Sequence, residues 1–214
     1  MNTAIQYFKL AARLSHPKAL YVLGCIYYEG EYSLKDANKA IYYFNSAANL
    51  NEPNAYFYLG YIYHKGDSII KQDIDKAIYY YKLAANENLS DAYTNLGLIY
   101  YNGIDKVRDI QLAIIYFKHG SKLNDSESNF MLGIIYYENK YIKQDINQAI
   151  YYFSLAANQQ NPKAYIYLGS IYSENKNVKR DINKAIYYFS LAANQSLPDA
   201  YFKLGSIYLN IDIN

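Results

Sequence analysis

The stretch DINKAIYYFSLAANQSLPDAYFKLGSIY, residues 181–208, nearly repeats the stretch DINQAIYYFSLAANQQNPKAYIYLGSIY, residues 145–172. The two stretches differ at only six of their 28 positions, and each contains an Ala-Ile pair followed by a Leu-Gly pair. The Leu-Gly pair occurs six times in the chain of 214 residues, at 23–24, 59–60, 96–97, 132–133, 168–169 and 204–205. These intervals of 36 or 37 residues indicate an array of repeated units.

Each unit has the hydrophobic periodicity of two helices. In AYFYLGYIY, residues 55–63, Ala55, Leu59 and Ile62 recur at i, i+4 and i+7, and a second stripe runs beside them. A helix buried between two neighbours needs such a wide face. The segment DIDKAIYYYKLAAN, residues 73–86, predicts the second helix. We therefore expect an all-α solenoid of twelve helices in about six hairpins, which begins with an Ala-Ile helix and ends with a Leu-Gly helix. No linker interrupts the series, so residues 1–214 are predicted to form one domain.

The glycine of each Leu-Gly pair lies inside a predicted helix, where it costs about 1 kcal/mol relative to alanine. Its recurrence predicts a close approach to another helix. The Ala-Ala pairs of the Ala-Ile helices, such as Ala84 and Ala85, are the expected partners. In the fourth unit, Gly120 and Ser121 replace this pair and predict a looser junction.

Residues in the loops predict where the helices end and begin. Gly and Asn tolerate the left-handed conformation that ends a helix. They follow the Leu-Gly helices as Gly30, Gly66, Gly103, Asn139 and Asn175. An aspartate that can cap free N–H groups, for roughly 1 kcal/mol, precedes each following helix. These aspartates are Asp36, Asp73, Asp109, Asp145 and Asp181.

Composition excludes several classes of partner. The net charge is +2, from 21 basic and 19 acidic residues that are interspersed, so no field favours nucleic acid or an anionic membrane. No apolar segment is long enough for membrane insertion, and the start of the chain lacks the apolar core of a signal peptide. Cys25 is the only cysteine, which excludes an intrachain disulfide. We expect a chain that is not secreted and lies in the cytoplasm or another reducing compartment.

The sequence offers no constellation for catalysis or cofactor binding. His16, His64 and His119 occupy three different repeat positions, and none has a second ligand at a metal-binding spacing. The glycines are single, so no phosphate-binding loop is predicted. The aspartates before the second to sixth Ala-Ile segments recur at one repeat position as structural residues. We predict no catalytic residue, no metal site and no cofactor.

The segments AYFYLGYIYHKG, residues 55–66, and KQDIDKAIYYYKLAAN, residues 71–86, resemble the Sel1-like repeat family, which is related to tetratricopeptide repeat solenoids. The resemblance covers essentially the whole chain. It implies a right-handed α/α superhelix that acts as an adaptor or scaffold. Members of the family are associated with membrane-protein degradation, regulation of cell-wall synthesis and microbe–host interaction. Cysteine-rich members cross-link each hairpin by a disulfide, and the departure from that pattern argues against the secreted branch.

One further stripe of the Leu-Gly helices is predicted to face the groove of the superhelix. Its positions vary between units while packing positions scarcely do, as expected of a surface that reads a partner. Aromatic and aliphatic residues dominate the first four units, so we expect an apolar groove that binds an extended or helical peptide. The predicted binding residues are Tyr21, Cys25, Tyr28, Phe57, Tyr61, His64, Thr94, Leu98, Tyr101, Phe130, Ile134, Tyr137, Ile166 and Phe202.

Ser170, Ser173, Ser206 and Leu209 complete this stripe. The alternative is that curvature buries the stripe against loops or neighbouring helices. The stripe lacks Asn, Lys and Arg, which disfavours capture of a peptide C-terminus. A second set of tyrosines is expected near the convex surface, either between adjacent repeats or toward a partner. These residues are Tyr42, Tyr79, Tyr151 and Tyr187.

The predicted function is therefore a non-enzymatic adaptor that binds a protein or peptide in its groove. One alternative is a cell-wall hydrolase-like enzyme or enzyme activator, which would need a cluster of unique polar residues in one unit. Another is a self-assembling structural solenoid. Ile211 and Ile213 near the end of the last unit, together with complementary first and last helices, predict weak head-to-tail association, with a monomer as the alternative.

Overall fold

The computed structural model describes residues 2–30, 35–66, 69–103, 108–174 and 176–212. These residues form twelve α-helices and no strand, in the predicted order, so the all-α expectation is confirmed. The helices are α1 (Asn2–Arg13), α2 (Pro17–Glu29), α3 (Ala37–Ala48), α4 (Pro53–Lys65), α5 (Ile74–Asn86), α6 (Ser90–Asn102), α7 (Ile110–Lys122), α8 (Ser126–Tyr137), α9 (Ile146–Asn158), α10 (Pro162–Glu174), α11 (Ile182–Ala193) and α12 (Pro198–Asp212). Odd-numbered helices carry Ala-Ile and even-numbered helices carry Leu-Gly.

The helices fall into two compact units, unit 1 (Met1–Asp109) with α1 to α6 and unit 2 (Ile110–Asn214) with α7 to α12. Within each unit, every helix packs against the next one in the chain. The expectation that residues 1–214 form a single domain stays a prediction.

In four pairs of helices, a glycine of a Leu-Gly helix packs against an aromatic ring of the following Ala-Ile helix. A Cβ atom added to Gly24 would lie 2.6 Å from the ring of Phe44, and one added to Gly60 would lie 2.7 Å from Tyr81. Both rings are fully buried. The same contact pairs Gly133 with Phe153 and Gly169 with Phe189. The expectation that these glycines pack against the Ala-Ala pairs was therefore wrong, because an aromatic ring occupies the space beside each glycine.

The carbonyl groups of the Ala-Ala pairs instead accept the hydrogen bonds that end the Ala-Ile helices. Asn51 has a left-handed backbone with φ 56°. Its N–H donates to the carbonyl of Ala48 at 2.9 Å, and the N–H of Glu52 donates to Ala47 at 3.1 Å, which is a Schellman arrangement. The same pair of bonds recurs after every Ala-Ile helix. The other left-handed residues are Ser15, Asn88, Asn124, Gln160 and Ser196.

These left-handed positions were not predicted, because Ser and Gln, which occupy three of the six, do not favour this conformation. Gly120 and Ser121 accept the same two bonds in the fourth unit, so the substitution leaves this helix end intact.

The left-handed conformation predicted at the ends of the Leu-Gly helices is confirmed at Gly30 and Gly103, with φ angles of 76° and 70°. Gly66 also ends its helix with a positive φ of 61°, but its ψ of 166° lies outside the left-handed helical region. Asn139 does not adopt this conformation, because α8 ends at Glu138 in an extended conformation. The side-chain oxygen of Asn139 accepts the N–H of Gln144 instead. Asn175 lies outside the described residues.

Four of the five predicted aspartate caps, at Asp36, Asp73, Asp145 and Asp181, are confirmed, and these aspartates also bond to the preceding helix. The cap at Asp109 stays a prediction, and its N–H donates to the carbonyl of Tyr100 at 3.0 Å. Oδ1 of Asp36 accepts the N–H of Lys39 at 3.0 Å, and the N–H of Asp36 donates to the carbonyl of Tyr27 at 2.9 Å. The Lys39 N–H, followed by its ammonium group, holds the pKa of the Asp36 carboxyl below its ordinary value. Asp73, Asp145 and Asp181 make the same pair of bonds.

Replacing Gly60 and Gly205 by alanine should have opposite effects, since no described atom lies within 4 Å of a Cβ at Gly205. Gly60→Ala forces Tyr81 to move and should lower the free energy of unfolding by about 1–2 kcal/mol after the gain in helix propensity. Gly205→Ala should raise it by about 0.5–1 kcal/mol. Urea denaturation in dilute solution measures both. Equal effects of the two substitutions would refute the glycine–ring contact as the reason for the repeat.

Gln160→Gly should stabilise the chain by about 1 kcal/mol, because a side chain in the left-handed conformation costs roughly 1–2 kcal/mol that glycine avoids. The matched control is Asn158→Gly, two residues earlier at the end of α9, which should lose about 0.5–1 kcal/mol. Thermal and urea unfolding of both variants check the prediction. A loss of stability in Gln160→Gly would contradict it.

Candidate partner-binding site

The Leu-Gly helices α2 and α4 place a cluster of half-buried aromatic rings on one surface of unit 1. The ring of Tyr58 lies 5.7 Å from that of Tyr21 and 6.3 Å from that of Tyr28. Tyr61 also lies 6.3 Å from Tyr28. All three contacts are edge-to-face, the arrangement that the ring quadrupoles favour. We call this set, with Cys25 between Tyr21 and Tyr28 on α2, the tyrosine surface.

Four of these five residues were predicted, and Tyr58 was missed. Tyr58 directly precedes the Leu-Gly pair and lies between the packing stripe and the predicted stripe. Its ring stacks on the buried ring of Phe44 at 5.1 Å while it still contacts Tyr21. The i, i+3 spacing of Tyr58 and Tyr61 was the available signal, because such residues are neighbours on a helix surface.

Phe57 and His64 on α4 form a second small cluster around the buried ring of Tyr81. The rings of Phe57 and Tyr81 lie 5.7 Å apart. The Tyr81 hydroxyl lies 3.5 Å from Nδ1 of His64. Burial lowers the pKa of His64 below its ordinary value, so the imidazole is neutral at neutral pH.

On α6, the predicted stripe is only partly accessible. Thr94 is 6% exposed, and its hydroxyl donates to the carbonyl of Ser90 at 3.4 Å. Leu98 and Tyr101 remain half-buried. Thr94 therefore contributes to the interior rather than to the surface.

In unit 2, two residues of the same stripe, Phe130 and Ile134, are buried. Phe130 and Ile134 are only 6% and 8% exposed. Tyr167 on α10 packs against Phe130 at 5.7 Å and Tyr137 at 5.5 Å, and the Lys163 ammonium lies over the Phe130 ring. Phe130 and Ile134 therefore belong to the core, contrary to their assignment to the groove surface.

Three further predicted positions in unit 2 stay accessible. Tyr137 and Ile166 are half-buried, and Phe202 is 74% exposed. Tyr167 was not among the predicted residues, and it directly precedes a Leu-Gly pair, as Tyr58 does.

Burial and hydrogen bonding shift the pKa values of ionisable groups on the tyrosine surface. Burial, followed by interaction with Cys25, raises the pKa of Tyr21. Burial also raises the pKa of the Cys25 thiol. Both groups therefore stay protonated at neutral pH. The surface offers ring faces, ring edges and hydroxyl groups for contact with a ligand.

The described residues contain no group of three or more His, Cys, Asp or Glu side chains that could hold a metal ion. Among the described helices, none combines the length and hydrophobicity needed to cross a bilayer.

A second set of tyrosines lies on the Ala-Ile helices. Tyr42 is 64% exposed, and Tyr79, Tyr151 and Tyr187 are also exposed. The ring of Tyr42 contacts the ring of Tyr43 edge-on at 5.3 Å, and Tyr43 stacks on Tyr27 of α2 at 5.5 Å. The predicted surface location is confirmed. These rings pack within their own hairpins and keep one face toward solvent.

The Sel1 repeat family model matches the chain in seven consecutive segments, residues 1–16, 17–52, 53–89, 90–125, 126–161, 162–197 and 198–210. A Sel1 repeat protein from Oxalobacter formigenes is similar in structure, with a TM-score of 0.80 and 32% identity over 90% of this chain and 79% of that one. No curated protein matches the sequence.

Two other solved structures are similar. One is c5321, a protective antigen present in uropathogenic Escherichia coli strains displaying an SLR fold, with a TM-score of 0.86 and 25% identity; 96% of this chain aligns, which spans 44% of that protein. The other, the immunity protein Pa5087 from Pseudomonas aeruginosa, shares the fold alone at a TM-score of 0.56 and 19% identity, over 89% of this chain and 72% of that one. The repeats along its whole length show that the chain belongs to the Sel1 repeat family, whose fold generally serves protein–protein interaction.

Proposed function

We propose that the chain is a non-enzymatic adaptor that binds a peptide segment of a partner protein on its tyrosine surface. The observation that carries this proposal is the cluster of half-buried rings from two adjacent Leu-Gly helices. Tyrosine is enriched among the residues that dominate binding energy at protein interfaces, because it combines a large apolar area with a polar hydroxyl.

The chemistry of the surface favours binding over catalysis. Its polar groups are the Cys25 thiol and tyrosine hydroxyls, whose pKa values are raised by burial at Tyr21, Cys25 and Tyr58. A hydrolase or an enzyme activator would need a group with a pKa near neutrality placed beside a nucleophile. The neighbouring His64 contacts Tyr81, whose hydroxyl is buried and has a raised pKa.

The test uses random peptides displayed on phage and selected on the unmodified chain. Tyr28→Ser and Tyr61→Ser remove two anchors. Both changes introduce the residue that α10 has at equivalent positions, Ser173 and Ser170, so the fold accepts it. We expect each to weaken the selected peptides by about 30-fold, or about 2 kcal/mol, in isothermal titration calorimetry.

The matched control is Tyr151→Ser with Tyr187→Ser, which removes two exposed rings from Ala-Ile helices. This variant should bind the selected peptides as tightly as the unmodified chain. Peptides that bind the Tyr28→Ser/Tyr61→Ser variant with undiminished affinity would disprove the proposed site.

A second candidate function is self-assembly through the first and last helices. Phe202 and Leu209 are exposed on α12, and Gly205 lacks the aromatic partner that Gly24 has in Phe44. Phe8 on α1 occupies the repeat position of Phe44. The contact between Gly205 and Phe8 of a second copy would reproduce the packing seen within each hairpin. The sequence predicted head-to-tail association from Ile211 and Ile213. The side chain of Ile211 and all of Ile213 lie outside the described residues.

Phe202→Asp should abolish this association, because burial of one aromatic side chain contributes roughly 1.5–3 kcal/mol and a buried carboxylate opposes contact. Light scattering over a wide range of concentrations measures the mass. Tyr187→Asp, which places the same charge on an exposed residue of α11, should leave any association intact. A constant monomer mass for the unmodified chain at the highest attainable concentration would exclude this function.

A further inference from the structure

Two equivalent pockets lie between consecutive Ala-Ile helices of unit 1. The first lies between α1 and α3 over α2 and has a volume of about 610 Å³. The second lies between α3 and α5 over α4 and has a volume of about 340 Å³. We call them the first and second junction pockets. Because they share one repeat position, each residue of one pocket can be compared with its counterpart in the other.

The side chains that line the second junction pocket bond to one another. The Tyr56 hydroxyl donates to Oδ1 of Asn51 at 3.0 Å, and the Tyr80 hydroxyl donates to Oδ1 of Asn45 at 3.4 Å. These bonds hold two rings and two amides across the space between the helices. The pocket is therefore the smaller of the two, and two of its amide oxygens are already bonded to two of its tyrosine hydroxyls.

The first junction pocket lacks both of these bonds. Leu20 stands in the place of Tyr56, and Lys9 stands in the place of Asn45. Within the described part of the chain, the hydroxyl of Tyr43, the counterpart of Tyr80, has no hydrogen-bond partner, and it faces the pocket beside Lys9.

The charges differ as well. Lys9 and Arg13 are one turn apart on α1, both exposed, and they replace Asn45 and Asn49 of the second pocket. Lys39 adds a third cation from the α3 side, where it is paired with Asp36 at 3.0 Å. The sequences of α1 and α3 contain no acidic residue. The first junction pocket is therefore locally positive, although the whole chain has a net charge of only +2.

We propose that the first junction pocket binds a short acidic segment of a partner protein, with glutamate or aspartate side chains paired to Lys9 and Arg13. The volume suits a few residues, since ligand pockets run from about 300 to 1,000 Å³. Arg13 and the rings of Tyr42 and Tyr43 belong to the residue types enriched at protein interfaces. A phosphate site typically presents converging backbone N–H groups, and this pocket is lined by side chains of three helices. The proposal adds a second site, on a different face from the tyrosine surface.

The probe is a fluorescein-labelled peptide of alternating glutamate and glycine, measured by fluorescence anisotropy at about 0.1 M salt, where the Debye length is about 10 Å, against a glutamine–glycine peptide. The test variant is Lys9→Asn with Arg13→Asn, which gives the first pocket the residues of the second. We expect it to bind the glutamate peptide about tenfold more weakly, as two ion pairs at an exposed site are worth about that much. The glutamine–glycine peptide should not bind.

The control variant is Lys18→Asn with Lys71→Asn, which removes the same charge from exposed positions outside the pocket. It should change the affinity by less than about twofold, because salt screens charges beyond a Debye length. Leu20→Tyr, which restores the ring that fills the second pocket, should weaken binding without any change of charge. Circular dichroism confirms that each variant is folded.

Equal affinities of the Lys9→Asn/Arg13→Asn variant and the control variant would overturn the proposal, as would the absence of binding by the unmodified chain. Displacement of the peptide by inorganic phosphate, beyond that by chloride at equal ionic strength, would also overturn it and indicate a phosphate site. The Tyr28→Ser/Tyr61→Ser variant should keep full affinity for the glutamate peptide, which separates this site from the tyrosine surface.

Discussion

The contact on which the rest of the structure depends is the one between a helix glycine and a buried aromatic ring. Gly60 lets the ring of Tyr81 lie directly against the backbone of α4, where any side chain would collide with it. The interior of a protein is packed as densely as an organic crystal, so this contact fixes the distance between the two helices of a hairpin. The glycine costs helix propensity in isolation, and the buried ring more than offsets that cost.

Hydrogen bonds at the helix ends determine where the Ala-Ile helices begin and end, which the glycine–ring contact does not determine. The aspartates before α3, α5, α9 and α11 cap these helices and bond to the preceding helix, as Asp36 does with Lys39 and Tyr27. The Schellman turn after the helix then directs the chain into the next hairpin. Most of these bonds join backbone groups, so the side chains at neighbouring positions can differ between repeats without breaking them. The tyrosine surface and the junction pockets occupy those variable positions.

The sequence predicted most of the fold, because its signals are local and repeat. Leu59 and Ile62 define a packing stripe by spacing alone, and Asp36 and Gly30 mark helix boundaries through their own conformational preferences. Contacts between helices were harder to predict. The predicted partner of Gly60 was an alanine pair, but the ring of Tyr81 lies there. Phe130 was predicted to lie on the groove surface, but Tyr167 packs against it. Tyr58 was missed because it serves the core and the surface at once. These residues depend on a neighbouring helix, which periodicity within one helix does not describe.

The uniformity of the glycine–ring contact bears on how such a chain can change its length. Gly24 meets Phe44 in the same way that Gly169 meets Phe189, so one hairpin can follow any other without a new core. Unequal recombination between near-identical coding segments, such as those for residues 145–172 and 181–208, would insert or delete a whole hairpin in register. Such an event would shift every surface downstream by one repeat and leave each packing contact unchanged. Duplication followed by divergence at exposed positions is thus an accessible route by which the array gains new specificities.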